Sequence, residues 1–262
     1  MGITLAISGK GGGGKTTVAA LIVGELAAAK AGSILAVDAD PNFNLGALLG
    51  QDVGETVADV REHFMETKLD APAEMSRERM VEYGIQRAVR ECGSFDLLTM
   101  GRPEGPGCYC YVNHILRKYL DRLAGDYSHV VIDNEAGMEH LSRRTTSRVD
   151  LLLIVAQPLP ASISAAERIM EISRSLPAVA KRHAIVLNQV RGELPRSVED
   201  RLKSLGVPVA ARIPYDRVLE EMMMRGESLP GKGSLLAKDR LGDLMREVRA
   251  GGSQPPAGEK RG

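Results

Sequence analysis

The sequence contains no tryptophan and only three phenylalanines, and aromatic residues make up 3% of it, so a core of stacked rings is excluded. Its apolar content of 44% must come mainly from Val, Leu, Ile, Ala and Met, which suits parallel strands covered by helices. Net charge is also missing, because 34 Lys and Arg balance 34 Asp and Glu. No overall field exists to gather nucleic acid or an anionic membrane, and neither partner is expected. Three cysteines are too few for a disulfide framework, and an odd number cannot all pair within the chain. That favours a reducing compartment with thiols kept for other work. No apolar run reaches spanning length, and Ile3-Thr4-Leu5-Ala6-Ile7 opens a strand with no basic-then-apolar leader before it. A cytoplasmic protein is the expectation.

What is present is an alternation. Strand-like runs at Ile3 to Ser8, Ser33 to Asp38, Phe95 to Met100, His129 to Asp133, Leu151 to Ala156, Ala184 to Asn188 and Pro208 to Ile213 are separated mostly by helical patterns. These include Thr16 to Lys30, Met75 to Glu91, Tyr111 to Ala124, Ser162 to Ser175, Pro195 to Leu205 and Asp216 to Arg225. The pattern predicts an α/β fold, a doubly wound and mostly parallel sheet with helices on both faces. With 262 residues, one domain over residues 1–250 is expected. Residues 251–262, rich in Gly, Pro and charge, read as a disordered tail. Just before it, Leu235, Leu236, Leu241, Leu244, Met245 and Val248 form a helical stripe whose polar face mixes both signs. A packing helix fits that mixture better than a membrane-surface helix, which would carry a basic face.

Gly9-Lys10-Gly11-Gly12-Gly13-Gly14-Lys15-Thr16 follows the first strand and opens the first helix, the context a P-loop requires. Glycines let backbone N–H groups converge on phosphates without Cβ clashes, and the helix N-terminus adds its positive end. Lys15 is expected on the β- and γ-phosphates, the Thr16 hydroxyl on Mg²⁺ and Thr17 on the α-phosphate. A P-loop NTPase that hydrolyses ATP slowly, with Mg²⁺, is the reading.

The early Lys10 changes its character. Gly-Lys-Gly-Gly-x-Gly-Lys-Thr resembles the deviant Walker A motif of the SIMIBI-like ATPases, which include the nitrogenase iron protein, the septum-positioning MinD proteins and the arsenite-pump ATPases. The resemblance implies a homodimer around two ATP molecules, with Lys10 reaching the partner's phosphates. Asp40-Pro41 resembles the family's first switch, which makes Asp40 the residue that orients the attacking water. Asp133-Asn134-Glu135-Ala136-Gly137 resembles the second, placing Asp133 on Mg²⁺ through water and Gly137 N–H near the γ-phosphate. Asn188 and the run Pro214-Tyr215-Asp216 resemble its adenine-binding elements. No guanine-reading Asn-Lys-x-Asp is visible, since Gln189-Val190-Arg191 follows Asn188, so ATP is favoured over GTP.

Gly105-Pro106-Gly107-Cys108-Tyr109-Cys110 precedes the helix expected from Tyr111. These cysteines are either reduced loop thiols or half of a metal site, because two thiolates cannot close a tetrahedral site alone. Two subunits meeting at a two-fold axis supply four, suited to Zn²⁺, Ni²⁺ or Cu⁺. Cys-Tyr-Cys, Ala136-Gly137-Met138-Glu139-His140-Leu141 and Asn188-x-Val-Arg together resemble the CooC-type accessory ATPases of carbon monoxide dehydrogenase. That implies a metallochaperone carrying nickel or zinc on Cys108 and Cys110, with carbon monoxide dehydrogenase or a related nickel enzyme such as acetyl-CoA synthase as client. Two other readings stand beside it: a MinD-like positioning ATPase, and an iron–sulfur electron donor like the nitrogenase iron protein. The latter takes a cysteine from the segment after the second switch, where residues 137–150 here have none.

Overall fold

The computed structural model describes residues 2–66, 77–102, 110–135, 149–175 and 180–229, with single positions between 241 and 248. Along the chain run β1 (Ile3–Gly9), α1 (Lys15–Ala28), β2 (Ile34–Ala39), α2 (Asn44–Leu48), α3 (Val57–Glu66), α4 (Arg77–Ala88), β3 (Val89–Glu91), β4 (Asp96–Thr99) and α5 (Cys110–Gly125). They continue with β5 (His129–Asn134), β6 (Leu151–Ala156), α6 (Pro160–Ser175), β7 (Arg182–Val190), α7 (Arg196–Ser204), β8 (Val209–Pro214) and α8 (Arg217–Met224).

The strands form one sheet in the order β3-β4-β2-β5-β1-β6-β7-β8, parallel throughout except for β3 against β4. Every residue of β1, β2, β5 and β6 is buried, because helices cover both faces of a parallel sheet. Side chains still alternate. Ile3, Leu5 and Ile7 pack toward α1 and α8 together with Leu241, Leu244, Met245 and Val248, while Ala6 turns to the face covered by α6 and α7. Leu35, Val37, Val130 and Ile132 build the third cluster under α3, α4 and α5. The described part of the stripe at 241–248 is thus a packing segment in the α1 layer. Helix α1 buries Val18, Ala19, Leu21, Ile22, Val23 and Leu26, more than one face of it, which fixes its N-terminus at the end of β1.

The sheet has one strand more than the seven expected. The helix predicted over Met75 to Glu91 stops at Ala88, and Val89, Arg90 and Glu91 instead pair antiparallel with Leu98, Leu97 and Asp96. A tight turn explains the switch: Cys92 N–H donates to the Phe95 carbonyl at 2.9 Å, and Gly93 takes φ 78°. The exposed edge of β4 claims backbone that the local helical pattern would have kept, a tertiary override of periodicity.

Candidate functional site

The crossovers leave β1 between β5 and β6, so the loop after β1 sits where the chain changes direction across the sheet. In open α/β sheets that is where ligands bind, beyond the carboxyl ends of the strands. A crevice of about 900 Å³ opens there, lined by Gly11, Gly12, Gly14, Lys15, Thr16, Thr17, Asp40, Asn188, Pro214, Tyr215 and Asp216 among others.

The glycine loop is shaped by close approach. A Cβ on Gly9 would lie 2.3 Å from the Val155 carbonyl oxygen, and Gly13 N–H closes a turn on the Lys10 carbonyl at 3.1 Å. Around Gly11 and Gly12 nothing lies within 4 Å of where a Cβ would stand, so their backbone faces open space of the kind a phosphate chain fills. Gly14, the N-cap of α1, has φ 90°, and its missing Cβ would fall 2.2 Å from Asn188 Nδ2. Gly14→Ala is therefore expected to weaken ATP binding at least about tenfold, since the left-handed backbone alone costs roughly 1–2 kcal/mol. Titration calorimetry checks this, and wild-type affinity would contradict it.

Lys15 begins α1 and is buried, Thr16 is half-buried, and Lys10 is exposed. The buried Thr17 hydroxyl donates toward the Met223 sulfur at 3.8 Å. Across the sheet Asp38 and Asp133 are register partners on β2 and β5. Burial pushes the Asp133 carboxyl up to about 7, opposed by the neighbouring Thr16 hydroxyl and the Lys15 charge and reinforced by Asp38. Burial also raises Asp38, to about 6, although backbone N–H groups of Leu45 and Asp40 pull it down. Both Asp133 oxygens are buried and, despite the nearby Thr16 hydroxyl, neither completes a hydrogen bond. A carboxylate placed so is costly unless a proton or cation completes it. The oxygen donors of Asp133 and Thr16 fit a hard cation such as Mg²⁺, which these residues would hold and which would neutralise phosphate charge there.

The segment from Asp38 to Leu45 is folded on itself. Asp40 Oδ1 accepts from Asn42 N–H at 2.9 Å and from Asn42 Nδ2 at 2.8 Å, while Asp38 accepts from Asp40 N–H at 3.2 Å and Leu45 N–H at 2.9 Å. The Asn42 backbone and side-chain amides thus hold one oxygen of the Asp40 carboxylate. Phe43, next in line, holds φ 55°, uncommon for an aromatic residue. Arg102 braces this turn: its Nε donates to the Pro41 carbonyl at 2.9 Å, and its guanidinium lies 5.9 Å from the Phe43 ring centroid. Sequence reasoning missed Arg102, which lies 61 residues from its partner.

Asn188, Pro214, Tyr215 and Asp216 lie on the crevice wall. Asn188 ends its buried stretch of β7 and donates from Nδ2 to the Gly13 carbonyl at 3.0 Å. Pro214 ends β8, and the Arg191 guanidinium stacks over Tyr215 at 3.7 Å. The Tyr215 hydroxyl donates to Glu220, which raises the phenol pKa. Asp216 caps α8, accepting from Val218 and Leu219 N–H groups. Gly137, Glu139, His140 and Cys108 lie outside the described residues; Cys110 opens α5, but its side chain and that of His114 lie outside them too. Among the described residues no group of three or more His, Cys, Asp or Glu could hold a metal, and no helix is long and apolar enough to cross a membrane.

A glycine cradle at the head of a buried helix, at the turning point of a parallel sheet, defines a P-loop ATPase. Residues 4–229 match the family described as the CobQ/CobB/MinD/ParA nucleotide binding domain, and the chain belongs to it. It is 40% identical over 224 residues to an uncharacterized ATP-binding protein of Methanocaldococcus jannaschii, covering 85% of this chain and 88% of that one. It is 32% identical over 187 residues to the carbon monoxide dehydrogenase accessory protein CooC of Rhodospirillum rubrum, covering 66% and 69%. Among solved structures the fold matches a chain of the MinC:MinD cell division protein complex of Aquifex aeolicus, with TM-score 0.70 and 23% identity over 98% of this chain and 99% of that one. The septum site-determining MinD of Pyrococcus horikoshii with Mg-ADP matches with TM-score 0.66 and 23% identity, over 95% and 96%.

Proposed function

We propose that this ATPase is a metallochaperone: one domain over residues 1–250, cytoplasmic, which dimerises on binding ATP and metal. It assists nickel insertion into carbon monoxide dehydrogenase or a related nickel enzyme, with no part for membrane or nucleic acid. The observation that carries the reading is the Cys108-Tyr109-Cys110 sequence, whose last residue opens α5, in a chain similar to the CooC accessory protein over 187 residues. Two thiolates from each of two subunits supply the four soft donors that Ni²⁺ or Zn²⁺ takes. Lys10, exposed and next in sequence to the crevice residue Gly11, is the residue that reaches the partner's phosphates, and Asp40 orients the water. Asp133 and Thr16 hold Mg²⁺, Gly137 senses the γ-phosphate, and Asn188, Pro214, Tyr215 and Asp216 border the adenine.

Coupling has a physical route in this reading. The turn bearing Asp40 is tied by Arg102 to the end of β4, and Cys108 follows Arg102 by six residues in sequence. A switch rearranged by the γ-phosphate is then attached to the strand that leads into the cysteine segment. Metal analysis of wild type and of the Cys108→Ser/Cys110→Ser variant, with and without nucleotide, tests the assignment. About one nickel or zinc per two chains, lost in the variant, is expected. Equal metal content in both proteins would refute it.

A further inference from the structure

The side chain of Asn188 reaches the P-loop from the far end of β7, 175 residues away in sequence. It is buried, and its Nδ2 donates to the Gly13 carbonyl at 3.0 Å. In a trans peptide the C=O and the following N–H point in opposite directions. Holding the Gly13 carbonyl therefore also fixes the Gly14 N–H, which donates to no group of the described chain. The next peptide is fixed as well, because the Gly14 carbonyl accepts from Val18 N–H at 3.0 Å. Nδ2 stands 2.2 Å from where a Gly14 Cβ would be, so the amide occupies the space this glycine leaves free. The amide oxygen accepts no hydrogen bond from the described residues, and the side chain also lines the crevice.

We propose that Asn188 is a positioning residue for phosphate: by holding the Gly13 carbonyl it aims the Gly14 N–H into the cradle, so one amide joins the base-side wall to the phosphate-side loop. This rests on the crevice being a nucleoside triphosphate site and goes beyond adenine recognition. A residue that only read the base would leave the loop unchanged when removed. One that sets the loop acts on any triphosphate, with or without a base.

Magnesium tripolyphosphate, which has no base, separates the two roles. Wild type, Asn188→Ala and Asn188→Asp are titrated calorimetrically with it and with MgATP, and their ligand-free melting is recorded. Both variants are expected to lose about tenfold or more in affinity for both ligands, the loss of one hydrogen bond that orders a donor. Asn188→Asp keeps the shape and an acceptor oxygen but not the donor, so it carries the test if Asn188→Ala melts early. Tripolyphosphate affinity unchanged in a folded variant that has lost ATP affinity would overturn the proposal. A wild type that binds neither ligand would instead remove the triphosphate reading on which it rests.

Discussion

Replacing Asp133 with Asn is expected to make the ligand-free chain more stable at pH 8 while abolishing Mg²⁺-dependent ATP hydrolysis. The carboxyl sits buried with neither oxygen completing a hydrogen bond, and burial pushes its pKa from 3.8 up to about 7. A folded-state pKa above the unfolded value means that the neutral acid favours folding. That stability is fully present below about 3.8 and is lost as pH rises through about 7. The gap corresponds to roughly 4 kcal/mol at full ionisation. Asn presents the same shape without charge, so the variant should recover part of this, on the order of 2–4 kcal/mol, and melt several degrees higher at pH 8. The advantage should shrink as pH falls toward 5, where the wild-type carboxyl is already protonated. Hydrolysis with Mg²⁺ should drop at least about a hundredfold, because the charge proposed to hold the ion is gone. Thermal melting from pH 5 to 8.5, paired with phosphate release, reads both effects. A variant less stable than wild type at pH 8 would count against the assignment of Asp133.

Lys10→Ala should separate binding from hydrolysis. The Lys10 carbonyl shapes the loop by accepting from Gly13 N–H, a contact that alanine preserves, whereas its side chain is exposed and makes no ion pair among the described residues. Nucleotide affinity should change less than about threefold, since Lys15 and the backbone cradle remain. A positive charge supplied to a neighbour's transferring phosphate is worth about 10³–10⁵ in rate in related chemistry, so hydrolysis should fall by at least about a hundredfold. Fluorescent-nucleotide titration with a turnover assay decides it. Equal turnover would place Lys10 outside the reaction.

How far sequence alone reached follows from how local each feature is. Gly9 to Thr16 could be read because eight consecutive residues carry the whole device, and Ile7 and Val18 on either side declare strand and helix. The helix start at Asp216 was legible for the same reason, although its carboxylate proves to cap α8. The strand β3 was not legible, since only its pairing with Leu98, Leu97 and Asp96 distinguishes Val89 to Glu91 from the end of a helix. The Arg102 brace on Pro41 and the Asn188 bond to Gly13 join residues 61 and 175 positions apart, and no local pattern encodes them. Asp38 stands two residues before Asp40 in the sequence, yet only the register of β2 on β5 shows that it is the buried partner of Asp133.

The proposed function requires two chains to close around nucleotide, and sedimentation velocity of the wild-type protein tests that most directly. With MgATP and zinc or nickel supplied, the chain should sediment as a dimer, and with MgADP alone as a monomer. A single monomeric boundary in all of these conditions would contradict the account.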